Sequence, residues 1–140
     1  MNGYFYVLTT IDILVLCFMC ILTRLSESLN KKQKRGFLFA FGLIALISLL
    51  EVVTLKVDGL PKKFRWINIV SNYLGFGLTP SVCICLVYVL DKKTKLRWEF
   101  KLAILSEIVY LLILAISIPS GLVFSVSQEN IYSRGPCFFI

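Results

Sequence analysis

The sequence predicts an all-α integral membrane protein: a bundle of four transmembrane helices followed by the start of a fifth, with the N-terminus outside. Three observations predict it. The 140 residues are 58% hydrophobic and only 16% charged, with a mean hydropathy of +0.84, well beyond the range of ordinary soluble domains. Four apolar runs, residues 4–23, 36–55, 67–90 and 102–124, each reach the roughly 20 residues a helix needs to cross about 30 Å of hydrocarbon. A further apolar run begins at residue 137. Charges gather between these runs instead of spreading through them. The loops are too short to hold a soluble domain, so residues 1–140 read as a single transmembrane domain.

The first span has no Lys or Arg ahead of its apolar core, and the first basic residue is Arg24. A cleaved secretory signal carries its positive charge in front of the core, so this pattern describes a retained helix that enters from outside. The loops agree. Residues 24–35 hold five basic side chains (Arg24, Lys31, Lys32, Lys34, Arg35) and residues 91–101 hold five more. The opposite loops hold four (Lys56, Lys62, Lys63, Arg65) and one (Arg134). Ten against five puts the first pair of loops in the cytoplasm and the protein in the cell membrane as a multi-pass chain. Asp58-Gly59-Leu60-Pro61 reads as a tight exterior turn, and Gly135-Pro136 as the introduction to the next helix. Trp66, Trp98 and the Tyr4-Phe5-Tyr6 cluster stand at span boundaries, where aromatic anchors belong.

The third span departs from a lipid-facing helix. Asn68, Ser71, Asn72, Gly75 and Thr79 recur at three and four residues, so they share one stripe within roughly a 100° arc. Such a stripe requires protein neighbours. Interhelical hydrogen bonds of about 0.6–2 kcal/mol each account for the amides by packing alone. Gly75 is expected to allow close helix packing, Pro80 and Pro119 to kink their helices, and Gly121 to interrupt the fourth span.

Three carboxylates, Asp12, Glu51 and Glu107, lie inside spans, where an ionisable group costs several kcal/mol unless protonated, paired or wetted. At a rise of about 1.5 Å per residue, Asp12, Glu51, Asn68 and Asn72 fall in the outer half of the bundle. Glu107 falls near the cytoplasmic side. Asp12, Glu51, Asn68 and Asn72 are therefore the candidate ligand-binding residues of an outward-facing polar pocket for a small extracytoplasmic ligand or ion.

Other functions are excluded or left unsupported. Every basic residue flanks a span, so the net charge of +7 reads as topology and headgroup contact, not nucleic-acid binding. There is no histidine. Of five cysteines, Cys17, Cys20, Cys83 and Cys85 lie within spans as small membrane hydrophobes. No metal site, cofactor or catalytic constellation is expected, and no enzyme activity in this chain itself. The expected partners are the lipid bilayer, a small ligand and further copies of the chain.

The stretch Asn130-Ile131-Tyr132-Ser133-Arg134-Gly135-Pro136, followed by Cys137-Phe138-Phe139-Ile140, resembles the exterior loop before the fifth helix in multi-span N-terminal sensor domains of bacterial GGDEF proteins, the diguanylate cyclase family. In those relatives the loop reads much like N-x-Y-x-R-G-P before an aromatic-rich helix. The helix layout is similar as well: a basic loop after the first helix, an acidic residue late in the second and an Asn-bearing third. The resemblance implies a sensory input module of a bacterial signalling protein, truncated before the cytoplasmic domain that makes cyclic di-GMP. Two alternatives stand beside it. One is a small proton-coupled carrier with Asp12 as its coupling residue, and the other a passive membrane assembly subunit.

Overall fold

The structure, a computed structural model, describes residues 2–90 and 98–138. Its helices are α1 (Asn2–Leu25), α2 (Lys31–Val57), α3 (Arg65–Leu90) and α4 (Trp98–Ser120), with a 3₁₀ turn at Lys62–Phe64 and two short strands, β1 (Phe124–Val126) and β2 (Tyr132–Arg134). All four helices are long and apolar enough to cross a membrane. The basic segment 91–97, within the second expected cytoplasmic loop, lies outside the described residues.

α2 begins five residues earlier than the apolar run. Asn30 is its N-cap: its Oδ1 accepts from the Gln33 N–H (2.8 Å), and Gln33 Oε1 accepts from the Asn30 N–H (3.2 Å). This reciprocal box satisfies two amides that a helix start otherwise leaves open. The expected loop cations Lys31, Lys32, Lys34 and Arg35 therefore occupy the first turns of a helix. Lys34 Nζ reaches back to the Arg24 carbonyl at 3.0 Å, closing the end of α1.

α3 is the centre of the bundle. It packs against α2 on one side and α4 on the other, while α1 packs on α2. Close approach is made at two glycines. A Cβ at Gly36 would run into Val89 and one at Gly77 into the Leu111 side chain. Gly75, expected to serve packing, has no atom within 4 Å of where its Cβ would stand. The reason is angular: two residues along a helix is about 200° of rotation, so Gly77 faces α4 while Gly75 looks elsewhere.

α4 ends at Ser120, four residues short of the apolar run. Gly121 adopts φ 67° and gives its N–H to the Ser117 carbonyl at 2.7 Å, the left-handed stop that glycine supplies at helix ends. Pro119 is the penultimate helical residue, so Pro119 and Gly121 accompany a termination here, not an interruption. The buried Ser117 hydroxyl accepts from the N–H groups of Val123 (2.7 Å) and Phe124 (3.2 Å), folding the chain back. β1 and β2 then pair antiparallel, Phe124 opposite Arg134 and Val126 opposite Tyr132. No strand was expected here. The hairpin seats Phe124 and Val126 on Ile69 and Leu114, forming the core between α3 and α4. A Cβ on Gly135 would collide with the carbonyls of Gly121 and Leu122, and the Gly135 N–H donates to the Val123 carbonyl at 2.8 Å. Residues 136–138 form a turn. The expected fifth span thus falls on this turn and on residues 139–140, which lie outside the described residues.

Ser117→Ala is expected to destabilise the protein by about 1–3 kcal/mol, because two amide N–H groups lose their acceptor. Ser120→Ala, which removes only an exposed bond to the Ile116 carbonyl, should change little. Thermal unfolding of the two variants in detergent checks the difference.

Candidate functional site: a cavity beside an asparagine network

One end of the bundle collects the end of α2, the start of α3 and the hairpin. Their junction is the side chain of Asn130, which is fully buried. Its Nδ2 donates to the carbonyls of Val57 (2.6 Å) and Leu60 (3.0 Å), and its Oδ1 accepts from Asn68 Nδ2 (3.0 Å). Its backbone sits at φ 62°, a conformation asparagine tolerates better than most residues. Its carbonyl accepts from the Gly59 N–H at 2.8 Å. Asp58 Oδ1 accepts from the Tyr132 N–H (2.7 Å) and from Asn68 Nδ2 (3.3 Å). Asn72 Nδ2 donates to both the Oδ1 and the carbonyl of Asn68, at 2.8 and 2.9 Å. Arg65 adds a clamp from the start of α3, donating through Nε and Nη2 to the Val126 carbonyl.

Beside this network lies a cavity of about 390 Å³ walled by α2, α3 and the segment from Tyr132 to Phe138. Glu51 and Thr54 face it from α2, Asn72 and Gly75 from α3, and Tyr132 and Arg134 from β2. Arg134 lies over the Phe138 ring, 4.6 Å from its centre, a cation–π placement that holds the guanidinium at the wall. Burial pushes the Tyr132 phenol above its ordinary range, with the neighbouring Arg134 pulling the other way. The phenol therefore stays neutral through physiological pH, its oxygen accepting from the Arg134 guanidinium. The site combines a carboxylate, a guanidinium, a phenol and an amide carbonyl within apolar surroundings.

The structure brings two of the four candidate ligand residues, Glu51 and Asn72, to one cavity. Asn68 is fully buried, does not line the cavity, and has both its donor and its acceptor engaged in the network. Asn72 lines the cavity with its Nδ2 bound to Asn68. Asp12 is exposed on α1 and does not line this cavity. Pro80 sits within α3, which runs on through it to Leu90. Thr79 lines the cavity and returns its hydroxyl to the Gly75 carbonyl at 2.8 Å. Glu107 accepts from Ser81 Oγ at 2.8 Å, towards the other end of the bundle.

Sequence reasoning did not assign Asp58, Tyr132, Asn130 and Arg134 to the site. The only signal was the pair of short runs FSV and YSR around SQENI, each three residues and shorter than the runs from which a strand is ordinarily read. No known family matches the chain, and no curated protein or solved structure is significantly similar to it.

Asn130→Ala should cost about 2–5 kcal/mol, combining lost hydrogen bonds with the left-handed backbone penalty. Asn130→Gly relieves only the backbone part and should recover about 1–2 kcal/mol of it. In a double-mutant cycle with Asn68→Ala, unfolding midpoints should give a coupling of about 0.5–3 kcal/mol; strict additivity would contradict the network.

Proposed function

We propose that the chain is the membrane-embedded input module of a bacterial signalling protein, and that the cavity at the hairpin end receives a small charged ligand from outside. The observation that carries this reading is the shared cavity of Glu51 and Arg134, opposite charges brought from two different elements into an apolar setting. In such surroundings a ligand of complementary charge gains far more from each contact than it would in water.

Insertion in the membrane is supported by the four long apolar helices and by the large side chains they leave uncovered, among them Leu14, Phe18, Leu112 and Ile116, each about three-fifths exposed. The ten-to-five division of basic residues supports an outward hairpin end. The resemblance to GGDEF-associated sensor domains supports the signalling role, and the residues carrying it fall on the site. Asn130 ties the network, Tyr132 and Arg134 line the cavity, and Gly135 fills a position with no room for a side chain. On this reading the chain itself catalyses nothing, and the output belongs to a cytoplasmic domain. The 140 residues contain no GGDEF motif.

The mechanism follows from which elements the ligand would bridge. Glu51 rides on α2, six residues and about 9 Å before Val57, where Asn130 ties the hairpin to the helix end, and Arg134 belongs to the hairpin. A ligand contacting both draws this part of α2 and β2 together across the cavity and favours one arrangement of its walls. It shifts that balance by its difference in affinity for the two arrangements, and by no more. The carrier alternative gains no shared site, since Asp12 does not line this cavity.

The test is a thermal-shift panel on protein in nanodiscs, using amino acids, polyamines and dicarboxylates. At least one class should raise the unfolding midpoint. Glu51→Gln and Arg134→Gln should each weaken that effect by about tenfold or more in ligand concentration, as expected for losing a charged hydrogen bond. No stabilising compound, or equal stabilisation of both variants, would refute the site.

A further inference from the structure

At the opposite end of the bundle, a second and larger groove of about 770 Å³ opens between α2 and α4, with α3 at its back. Its mouth is formed by Lys31, Lys32 and Arg35 from the first turns of α2, and its depth by apolar side chains including Phe39, Ile84, Ile104 and Ile108. We infer that this groove binds an anionic glycerophospholipid, its phosphate held by Lys31, Lys32 and Arg35 and an acyl chain lying along the apolar walls. The inference rests on the membrane-spanning reading above but is independent of the hairpin-end cavity and of the signalling role.

Charge complementarity selects the occupant. The first turn of α2 carries no acidic residue and instead crowds cations where the helix dipole disfavours them. Lys31 and Arg35, four apart, also repel one another on a single face. Lys34 is engaged elsewhere, on the Arg24 carbonyl. Lys32 lies over the Tyr88 ring, 4.2 Å from its centre, which places its ammonium at the rim of the groove. Among the described residues, no ion pair neutralises these three side chains. A phosphodiester would relieve the repulsion and the dipole mismatch together.

Depth argues for a lipid over a free anion. Tyr88 marks the level of the Lys32 ammonium, and Ser81 lies seven residues earlier on α3, about 10 Å further in. There Ser81 holds Glu107 against α3, and among the described residues no ion pair joins this carboxylate to the cations. Between the two levels the wall is apolar, and the volume lies within the roughly 300–1,000 Å³ typical of ligand pockets. A free phosphate would use the rim and leave that apolar length uncovered.

Native mass spectrometry of the detergent-solubilised chain, titrated with phosphatidylglycerol or phosphatidylcholine, provides the test. Wild type should retain phosphatidylglycerol at a concentration about tenfold or more below that for phosphatidylcholine, since each basic residue at an anionic surface contributes several-fold. The triple variant Lys31→Gln/Lys32→Gln/Arg35→Gln should lose the preference, and Lys62→Gln/Lys63→Gln, at the hairpin end, should keep it. Ile104→Trp, which fills the groove and spares the cations, should weaken phosphatidylglycerol as well. Unfolding midpoints near wild type establish that each variant is folded, and a groove variant that fails this check is replaced by Ile108→Phe. Equal binding of the two lipids, a preference that survives the triple substitution, or full competition by glycerol phosphate would overturn the proposal.

Discussion

The carboxamide of Asn130 is the constraint on which the hairpin end depends. One side chain donates twice and accepts once, and its residue also holds a left-handed backbone. Aspartate at the same position could not donate to the carbonyls of Val57 and Leu60, and glycine would supply the backbone without the bonds. Those carbonyls stand at and just beyond the end of α2, where helices leave acceptors without internal partners. Such acceptors are costly to leave bare where water is shut out. Asn130 satisfies the Leu60 carbonyl, gives that of Val57 a second donor beside the Leu60 N–H and, through Asn68, joins α2, α3 and the hairpin in one step.

The rest of that end follows from the hairpin being held in place. With its loop anchored, β1 presses Phe124 and Val126 onto Ile69 and Leu114, and Phe124 meets Phe76 with ring centres 5.7 Å apart. β2 is carried across the seam between α2 and α3, which closes the cavity on its third side. The basic end is built differently. There the helices are joined by close approach at Gly36, by the Ser81–Glu107 bond and by Lys32 over Tyr88, and among the described residues no hairpin crosses between them. A network ties one end, and the other is left with an open groove.

Much of the helical architecture was legible because long apolar runs obey a length rule that local sequence satisfies by itself. The polar stripe on α3 was legible as a demand: buried amides must find partners. Which partners was not legible, because Asn68 finds Asn130 some 62 residues away, through a hairpin whose strands are three residues each. Strands that short leave too little alternation to be read against the apolar run that precedes them. The end of α4 was misplaced for a related reason. Hydropathy continues through Leu122, Val123 and Phe124, while the backbone turns at Gly121. Gly75 and Gly77 differ only in the face they present, and spacing from the amides favoured the wrong one for packing.

A polar network that satisfies itself is poorly suited to binding, since a ligand would have to displace bonds already made. This separates the polar residues at the hairpin end by role. Asn68, Asn130 and Asp58 are committed to one another and position the walls; Glu51, Tyr132 and Arg134 are left to face the cavity. Strand geometry makes that division possible within a few residues. Tyr132 and Arg134, two apart, fall on one face of β2, whereas Ser133 between them pairs its hydroxyl with Ser125 at 2.6 Å. Asn130, just before the strand, turns inward through its left-handed backbone. A single short segment thus both anchors the fold and walls the cavity, with alternation along β2 deciding which side chains face it.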